Sequence, residues 1–178
     1  YDPAKLTMPV VPENDLDDLP PMALKRTENS YYKSVTEAGK EREGVHAYLA
    51  CISFIDAQVG LVLYALDASG YAGNTIIVFW GDHGWHLGEK RRWSKSTLWE
   101  ESTRAPLMIA APGISPGRCQ TPVSFLDIYP TLVELAGLAP KDGLEGQSLV
   151  PLMKDPDTEW ERPALTTFEK GNHTLRSK

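Results

Sequence analysis

The chain is poor in several things at once. It holds two cysteines in 178 residues, Cys51 and Cys119, which allow at most one internal disulfide, exclude a stapled scaffold and leave the redox compartment open. No apolar run approaches the roughly 18 residues that a membrane-crossing helix needs, so no transmembrane helix is expected. Basic charge is in deficit, with a formal net charge of −6; that argues against nucleic acid or an anionic membrane as partner. There is no internal repeat and no low-complexity tract. The opening "YDPAKLTMPVVPEND" has neither a starting methionine nor the charged-then-apolar pattern of a leader, and the closing "HTLRSK" has no helix or turn ending. An internal piece of something longer is the expectation.

What remains is the composition of a globular protein. A hydrophobic share of 42% with 24% charged residues excludes a disordered chain, and the length suffices for one domain with a sizeable core. Residues 1 to about 22 are rich in proline and acid ("MPVVPENDLDDLPPM") and read as an extended segment, the first part of a proline- and acid-rich stretch taken to residue 40. From Glu41 to Ser69, Val45, Tyr48, Leu49, Ile52, Ile55, Val59, Val62, Leu63 and Leu66 recur at three- and four-residue steps. That spacing predicts a long amphipathic helix, capped by Gly70. "NTIIVFW" (74–80) and "APLMIAAPG" (from Ala105) read as strands buried on both faces. "FLDIYPTLVELAG" predicts a short helix with Asp127 as N-cap, Pro130 in the first turn and Gly137 as stop. "LEGQSLVPLM" follows as a loop with a helical turn, and "ALTTFEKGNHTLRS" as a hairpin around Gly171-Asn172. The order is α/β, with too few core strands for a complete sheet, so further strands are expected outside this chain.

The stretch that carries chemistry is "WGDHGWHLGEKRRWSK", Trp80 to Lys95. Ligands collect at the carboxyl ends of strands in open α/β sheets, and Gly81, Asp82 and His83 stand there. A carboxylate and an imidazole leaving one strand end can share a divalent cation, with Gly81 and Gly84 relieving crowding; equally, Asp82 can cap a turn and His83 can pack. Trp85 and Trp93 are either aromatic walls for an anionic ring-shaped substrate, with Lys95 at the end, or plain packing. Lys90, Arg91 and Arg92 suit a solvated loop face or a local contact, and His86 a surface loop position or a substrate contact.

With these residues in place, "NTIIVFWGDHGWHLGEKRRWSKSTLWEESTRAPLMIAAPG" resembles the second signature region of type I sulfatases, in the alkaline phosphatase superfamily. It is most similar to the iduronate-2-sulfatase branch, where the loop carries Asp-His-Gly-Trp, Leu-Gly-Glu, then Trp-x-Lys. "YLACISFIDAQVGLVLYALDASG" is similar to the helix before that strand, "VSFLDIYPTLVELAGLAPKDGLEGQSLVPLM" to the family's later block, and "NHTLRSK" to the start of its smaller C-terminal subdomain. The likeness runs from about residue 40 to 178. It implies an alkaline phosphatase/sulfatase-like fold, a large mixed sheet sandwiched by helices and incomplete here. Residues 41–162 would be the C-terminal part of the catalytic α/β domain, and 163–178 the start of the smaller subdomain.

The resemblance implies roles residue by residue. Asp82 and His83 match positions that bind an active-site Ca2+ or another divalent cation. Lys95 matches the catalytic lysine that binds the sulfate group and steadies the leaving oxygen, which a fixed ammonium does by stabilising developing negative charge. Trp85, Leu87 and Trp93, with Lys95, match substrate-binding positions, and Glu100 and Arg104 of Glu-x-x-x-Arg-x-Pro are expected to pair structurally. The family's nucleophile is a formylglycine made within Cys/Ser-x-Pro-x-Arg. Neither "CISFI" at Cys51 nor "CQTPV" at Cys119 fits, and no serine heads that pattern. Cys51 is expected in the core and Cys119 in a loop. "DLDD" (15–18) does not stand where the family's paired metal aspartates are expected.

The expectation is therefore part of a sulfatase acting on a sulfated carbohydrate, with formylglycine in a missing N-terminal part that is this chain's main partner. Alone, the chain is expected neither to hydrolyse sulfate esters nor to hold calcium tightly, because calcium takes about six to eight oxygen-rich ligands. Two other readings stand beside it: a phosphodiesterase or phosphonate hydrolase of the same superfamily, and a non-catalytic homologue that binds sulfated glycans. The resemblance alone implies a periplasmic, extracellular or lysosomal location. Asn172 of "NHT" fits a glycosylation acceptor.

Overall fold

The computed structural model describes residues 1–178. In chain order it contains helices α1 (Pro21–Leu24), α2 (Ser30–Glu37) and α3 (Glu41–Ser69), and strands β1 (Ile77–Trp80), β2 (His86–Leu87) and β3 (Trp93–Ser94). These are followed by α4 (Glu100–Thr103), β4 (Leu107–Ala110), α5 (Ile128–Leu135), α6 (Val150–Lys154), β5 (Ala164–Thr167) and β6 (His173–Arg176). The chain forms two compact units that interleave in sequence rather than following one another. The first comprises Tyr1–Gly70 and Asp82–Ala105, the second Tyr71–Gly81 and Pro106–Lys178.

The first unit is organised around the start of α3. Glu41 and Glu43 in its first turn suit the positive end of the helix dipole, and Gly70 ends it in the left-handed conformation, φ 77°. Gly44 has no side chain because the Trp93 indole lies there; an added Cβ would meet ring atoms at 2.8 Å. Beside it, Val45 is buried. The stretch read as extended instead carries two short helices. Asn29 caps α2 by accepting from the Tyr32 backbone N–H at 3.0 Å. The first residues run along α3, where Arg42 Nη1 donates to the carbonyls of Pro3 (3.0 Å) and Leu6 (3.1 Å).

Beyond Val45, α3 differs from expectation in what it meets. Phe54, Ile55, Leu61, Val62 and Tyr64 are exposed, and so is Cys51, because nothing in this chain packs on that face. An 18-residue window of α3 has a mean hydropathy of 1.9, so by length and composition alone the helix is long and apolar enough to cross a membrane. Its few charged residues interrupt any unbroken apolar run, which is why the sequence did not advertise it.

In the second unit β1 and β4 form an antiparallel pair with Trp80 opposite Leu107 and Ile77 opposite Ala110. Neither strand is buried on both faces here: Trp80 and Met108 are exposed. Beyond them, Asp127 stands at the N-cap position of α5, as expected, but its side chain makes no cap bond there; the turn before it, Phe125–Asp127, is capped by Ser124. Its hydroxyl accepts from the Leu126 N–H, and the Asp127 carboxylate reaches back to the Ser124 N–H at 2.9 Å, a capping box that leads into α5. Buried Asp127 then accepts from the Gln147 N–H (2.9 Å) and from Arg162 Nη1 (3.2 Å). Thr131, fully buried, donates to the Asp127 carbonyl and accepts from the Leu149 N–H at 2.8 Å. This polar knot ties α5 to the start of α6. The hairpin β5–β6 pairs Leu165 with Leu175, and Gly171 turns it with φ 81°.

Candidate functional site

The loop after β1 is built on a close backbone approach. The Gly84 N–H donates to the Ser102 carbonyl at 2.9 Å, and a Cβ at Gly84 would lie 2.0 Å from the Glu101 carbonyl oxygen. Only glycine fits there, and the contact fixes the residues before it. The Asp82 side chain is 82% exposed and that of His83 30%, so both reach outward from a pinned loop.

Three groups converge at His83. Its Nδ1 lies 2.8 Å from the Gly84 carbonyl, which can only accept, so Nδ1 carries a proton; in the neutral ring that leaves the lone pair on Nε2. Lys95 Nζ stands 2.7 Å from Nε2 and donates to it. Asp82 Oδ2 lies 3.1 Å from the same Nε2. Two acceptors therefore face each other, an arrangement that favours a cation, and the Lys95 ammonium already stands beside one of them. This donor set, one carboxylate oxygen and one imidazole nitrogen, fits part of a divalent cation's shell. No group of three or more His, Cys, Asp or Glu side chains gathers that could hold a metal ion.

The aromatic and apolar positions of the loop divide. Trp85 is exposed at 38% and lies along the His83 ring, centroids 6.4 Å apart and planes 29° apart. Leu87 stands opposite Trp93 in the β2–β3 hairpin. Trp93, named beside Trp85 as a pocket wall, is 6% exposed and seated on Gly44 of α3; it packs, because a flat indole fills the gap a helical glycine leaves.

The basic run also departs from expectation. It faces neither solvent alone nor the Asp82–His83 pair; the N-terminal segment consumes it. Lys90 Nζ pairs with Asp15 at 2.9 Å, and the Lys90 N–H donates to Asp15 Oδ2 at 2.6 Å. Burial works to raise the Asp15 carboxyl, but its bonds to Lys90 and that residue's charge outweigh it and hold the group below its ordinary 3.8. The same pairing raises Lys90 against its own burial. Arg91 Nη1 pairs with Glu28 Oε1 at 3.2 Å, and Arg92 Nη1 donates to the Arg26 carbonyl. The Asn29 side chain completes the clasp, donating to the Trp93 carbonyl (2.7 Å) and accepting from the Trp93 N–H (3.3 Å). The acidic "DLDD" thus holds a lysine. Nothing in the sequence linked these residues to a loop more than sixty positions on.

His86 does not sit at the surface. It is fully buried, with Nε2 2.9 Å from Thr97 Oγ1 and Nδ1 3.2 Å from the Glu89 carbonyl. Burial lowers its imidazole below the ordinary 6.5, against the pull of Glu101 and Glu89. Glu100 and Arg104 pair at 3.3 Å across one turn of α4. Cys119 is an exposed loop thiol that donates weakly to the Pro156 carbonyl.

The strand-end loop of this α/β chain thus brings a carboxylate and an ammonium to one imidazole nitrogen, at the place where open α/β sheets collect ligands. The family follows from comparison: the Sulfatase family model matches residues 19–138, and the chain belongs to the Sulfatase family. It is 42% identical over 180 residues to a sulfatase of Formosa agariphila, covering 99% of this chain and 36% of that protein. A choline-sulfatase of Rhizobium meliloti is 38% identical over 158 residues, covering 86% and 31%. An ulvan-active sulfatase of Formosa agariphila is 39% identical over 131 residues, covering 71% and 26%. Among solved structures, the phosphonate monoester hydrolase of Silicibacter pomeroyi superposes with a TM-score of 0.78 at 25% identity, covering 93% of this chain and 35% of that one. The chain thus spans about a third of the length of the relatives it matches, and its α/β fold is that of sulfatase and alkaline phosphatase-like structures with the sheet incomplete.

Proposed function

We propose that this chain is one wall of the active site of a sulfuric ester hydrolase. The observation that carries the reading is the convergence of Asp82, His83 and Lys95 on one point of a loop in a Sulfatase-family chain. Asp82 Oδ2 and His83 Nε2 would hold a divalent cation, calcium in the first instance; when bound, it supplies a fixed positive charge at the sulfate group. Held by the Nδ1 bond to Gly84, the His83 ring keeps its lone pair outward, and Lys95 brings an ammonium to the same place. There the ammonium binds sulfate oxygens and stabilises charge on the departing one. Neither Cys51 nor Cys119 can become the formylglycine nucleophile, so that group and the remaining metal ligands would come from elsewhere in the complete protein. The same remainder would cover the exposed face of α3.

The substrate class is supported more narrowly. Exposed Trp85 beside His83 offers a flat face for a sugar ring, in keeping with the ulvan-active relative; the Asp-His-Gly-Trp, Leu-Gly-Glu and Trp-x-Lys spacing agrees with an iduronate-2-sulfatase-like enzyme. A tryptophan face also suits a quaternary ammonium, and the choline-sulfatase relative gives that second reading its weight. A periplasmic, extracellular or lysosomal location accompanies the proposal.

The test is hydrolysis by the complete protein of a sulfated sugar, choline sulfate, an aryl sulfate and a phosphonate monoester. A sulfate ester should be turned over fastest, and Lys95→Ala should lower kcat/KM by roughly 10²–10³-fold, the scale of losing one charge-stabilising donor. Preference for the phosphonate would move the protein to the superfamily alternative, and binding of sulfated glycans without turnover would make it a non-catalytic homologue.

A further inference from the structure

Lys95 is carried on backbone that would not adopt its shape unaided. Ser94 and Ser96, on either side of it, both have positive φ, 100° and 72°, and neither is glycine. Such conformations are costly for residues with a Cβ and persist only where neighbours over-determine them. The neighbour here is His86, and it acts on both flanks. Upstream its backbone pairs with Ser94 in the β2–β3 hairpin. Downstream its imidazole Nε2 meets the Thr97 hydroxyl at 2.9 Å, and Thr97 is itself buried at 7% exposure.

The direction of these bonds follows from the partners. Nδ1 faces the Glu89 carbonyl, an acceptor only, so it carries the ring proton, and Nε2 accepts from the Thr97 O–H. Trp99 closes the pocket edge-on, ring centroids 5.9 Å apart and planes 84° apart. The ring has no exposed surface and takes no part in the contacts among Asp82, His83 and Lys95. A buried polar ring with both nitrogens satisfied is a stiff spacer, since moving it would strand its partners.

We propose that His86 is the positioning residue of Lys95: the imidazole, through Thr97, and the backbone, through Ser94, together set where the ammonium stands. The proposal rests on the reading of Lys95 as the sulfate-binding group. Arg92 assists, its Nη2 donating to the Lys95 carbonyl at 3.3 Å.

The experiment is a double-mutant cycle in the complete protein, read as kcat/KM for the sulfate ester it hydrolyses best. Thr97→Val removes the hydroxyl and keeps the branched shape; Thr97→Ser keeps the hydroxyl. The expected loss for Thr97→Val is about tenfold, the scale of a small misplacement of a positioned group; Thr97→Ser should return activity to within about twofold of wild type. In a Lys95→Ala background Thr97→Val should cost less than about twofold, because residues acting through one another do not add. His86→Gln, run through the same cycle, gives a second reading if the valine variant does not fold. Equal losses in the two backgrounds would overturn the proposal while leaving Lys95 on sulfate. If Lys95→Ala leaves kcat/KM unchanged, the sulfate-binding reading itself fails and this inference falls with it.

Discussion

Replacing Gly84 by alanine puts the loop's construction to a direct test. The added Cβ would lie 2.0 Å from the Glu101 carbonyl oxygen and 2.8 Å from that of Arg104, both backbone atoms that cannot swing aside. Real Cβ atoms essentially never come closer than 3.0 Å, so the loop must part from the α4 turn by about 1 Å or more. Overpacking of this kind costs about 1–3 kcal/mol. The parting also breaks the Gly84 N–H bond to the Ser102 carbonyl, worth about 0.5–1.5 kcal/mol. A total of about 2–4 kcal/mol should lower the melting temperature by roughly 4–16 °C in a chain of this size. Thermal unfolding followed by circular dichroism reads it, with Gly73→Ala as control, since an alanine there meets open space. A Gly84→Ala melt within about one degree of wild type would refute the close approach, and with it the idea that α4 fixes Asp82 and His83.

Two further outcomes test the clasp and the polar knot. Asp15→Asn should destabilise by about 1.5–3 kcal/mol at neutral pH, the range for a hydrogen bond to a charged group. The Asp15 carboxyl is held below 3.8 in the folded state, so its contribution is complete above that value and fades as pH falls through the lower folded one. Stability curves of the two proteins should therefore converge in acid below pH 3.8; a gap that persists there would exclude the ion pair as its source. Asp127→Ala should cost about 3–5 kcal/mol in a denaturant titration, because Arg162 and two backbone N–H groups lose a buried acceptor. A loss no larger than that of Ser124→Ala would show that the knot is not what joins α5 to α6.

Local signals were legible and distant ones were not. The periodic apolar positions gave α3 its limits of Glu41 and Ser69, and Gly70 its end. The β-branched run before Gly81 marked β1, and Gly171-Asn172 marked the terminal hairpin. Each of these depends on residues a few positions apart. Asp15 and Lys90 are 75 positions apart, and Asp127 and Arg162 are 35 apart; no spacing rule links such pairs. The partner of the Asp127 carboxylate was hidden for a like reason, because an acid can cap from N-cap or reach back from N3, and only the position of Ser124 decides. His86 misled for a related reason: a polar residue in a glycine-bearing loop reads as exposed until Thr97 and Glu89 supply its partners. Burial of the β1–β4 strands and of the α3 face depends on surfaces this chain does not supply.

The strands β1 and β4 have one more consequence. The chain departs after Trp80 and returns at Leu107, its cross-strand partner, and the Gly81 N–H donates to the Pro106 carbonyl at 3.0 Å. Everything from Asp82 to Ala105 is thus an excursion whose two feet are bolted together by the sheet. Closure entropy grows only with the logarithm of loop length, so doubling such an excursion would cost the fold about 0.6 kcal/mol. Residues at the feet answer to the sheet, whereas those farther out answer to the partners that hold them, Lys90 to Asp15 and Trp93 to Asn29 and Gly44. With that division the loop and its partners can be rewritten together while the strands stay as they are.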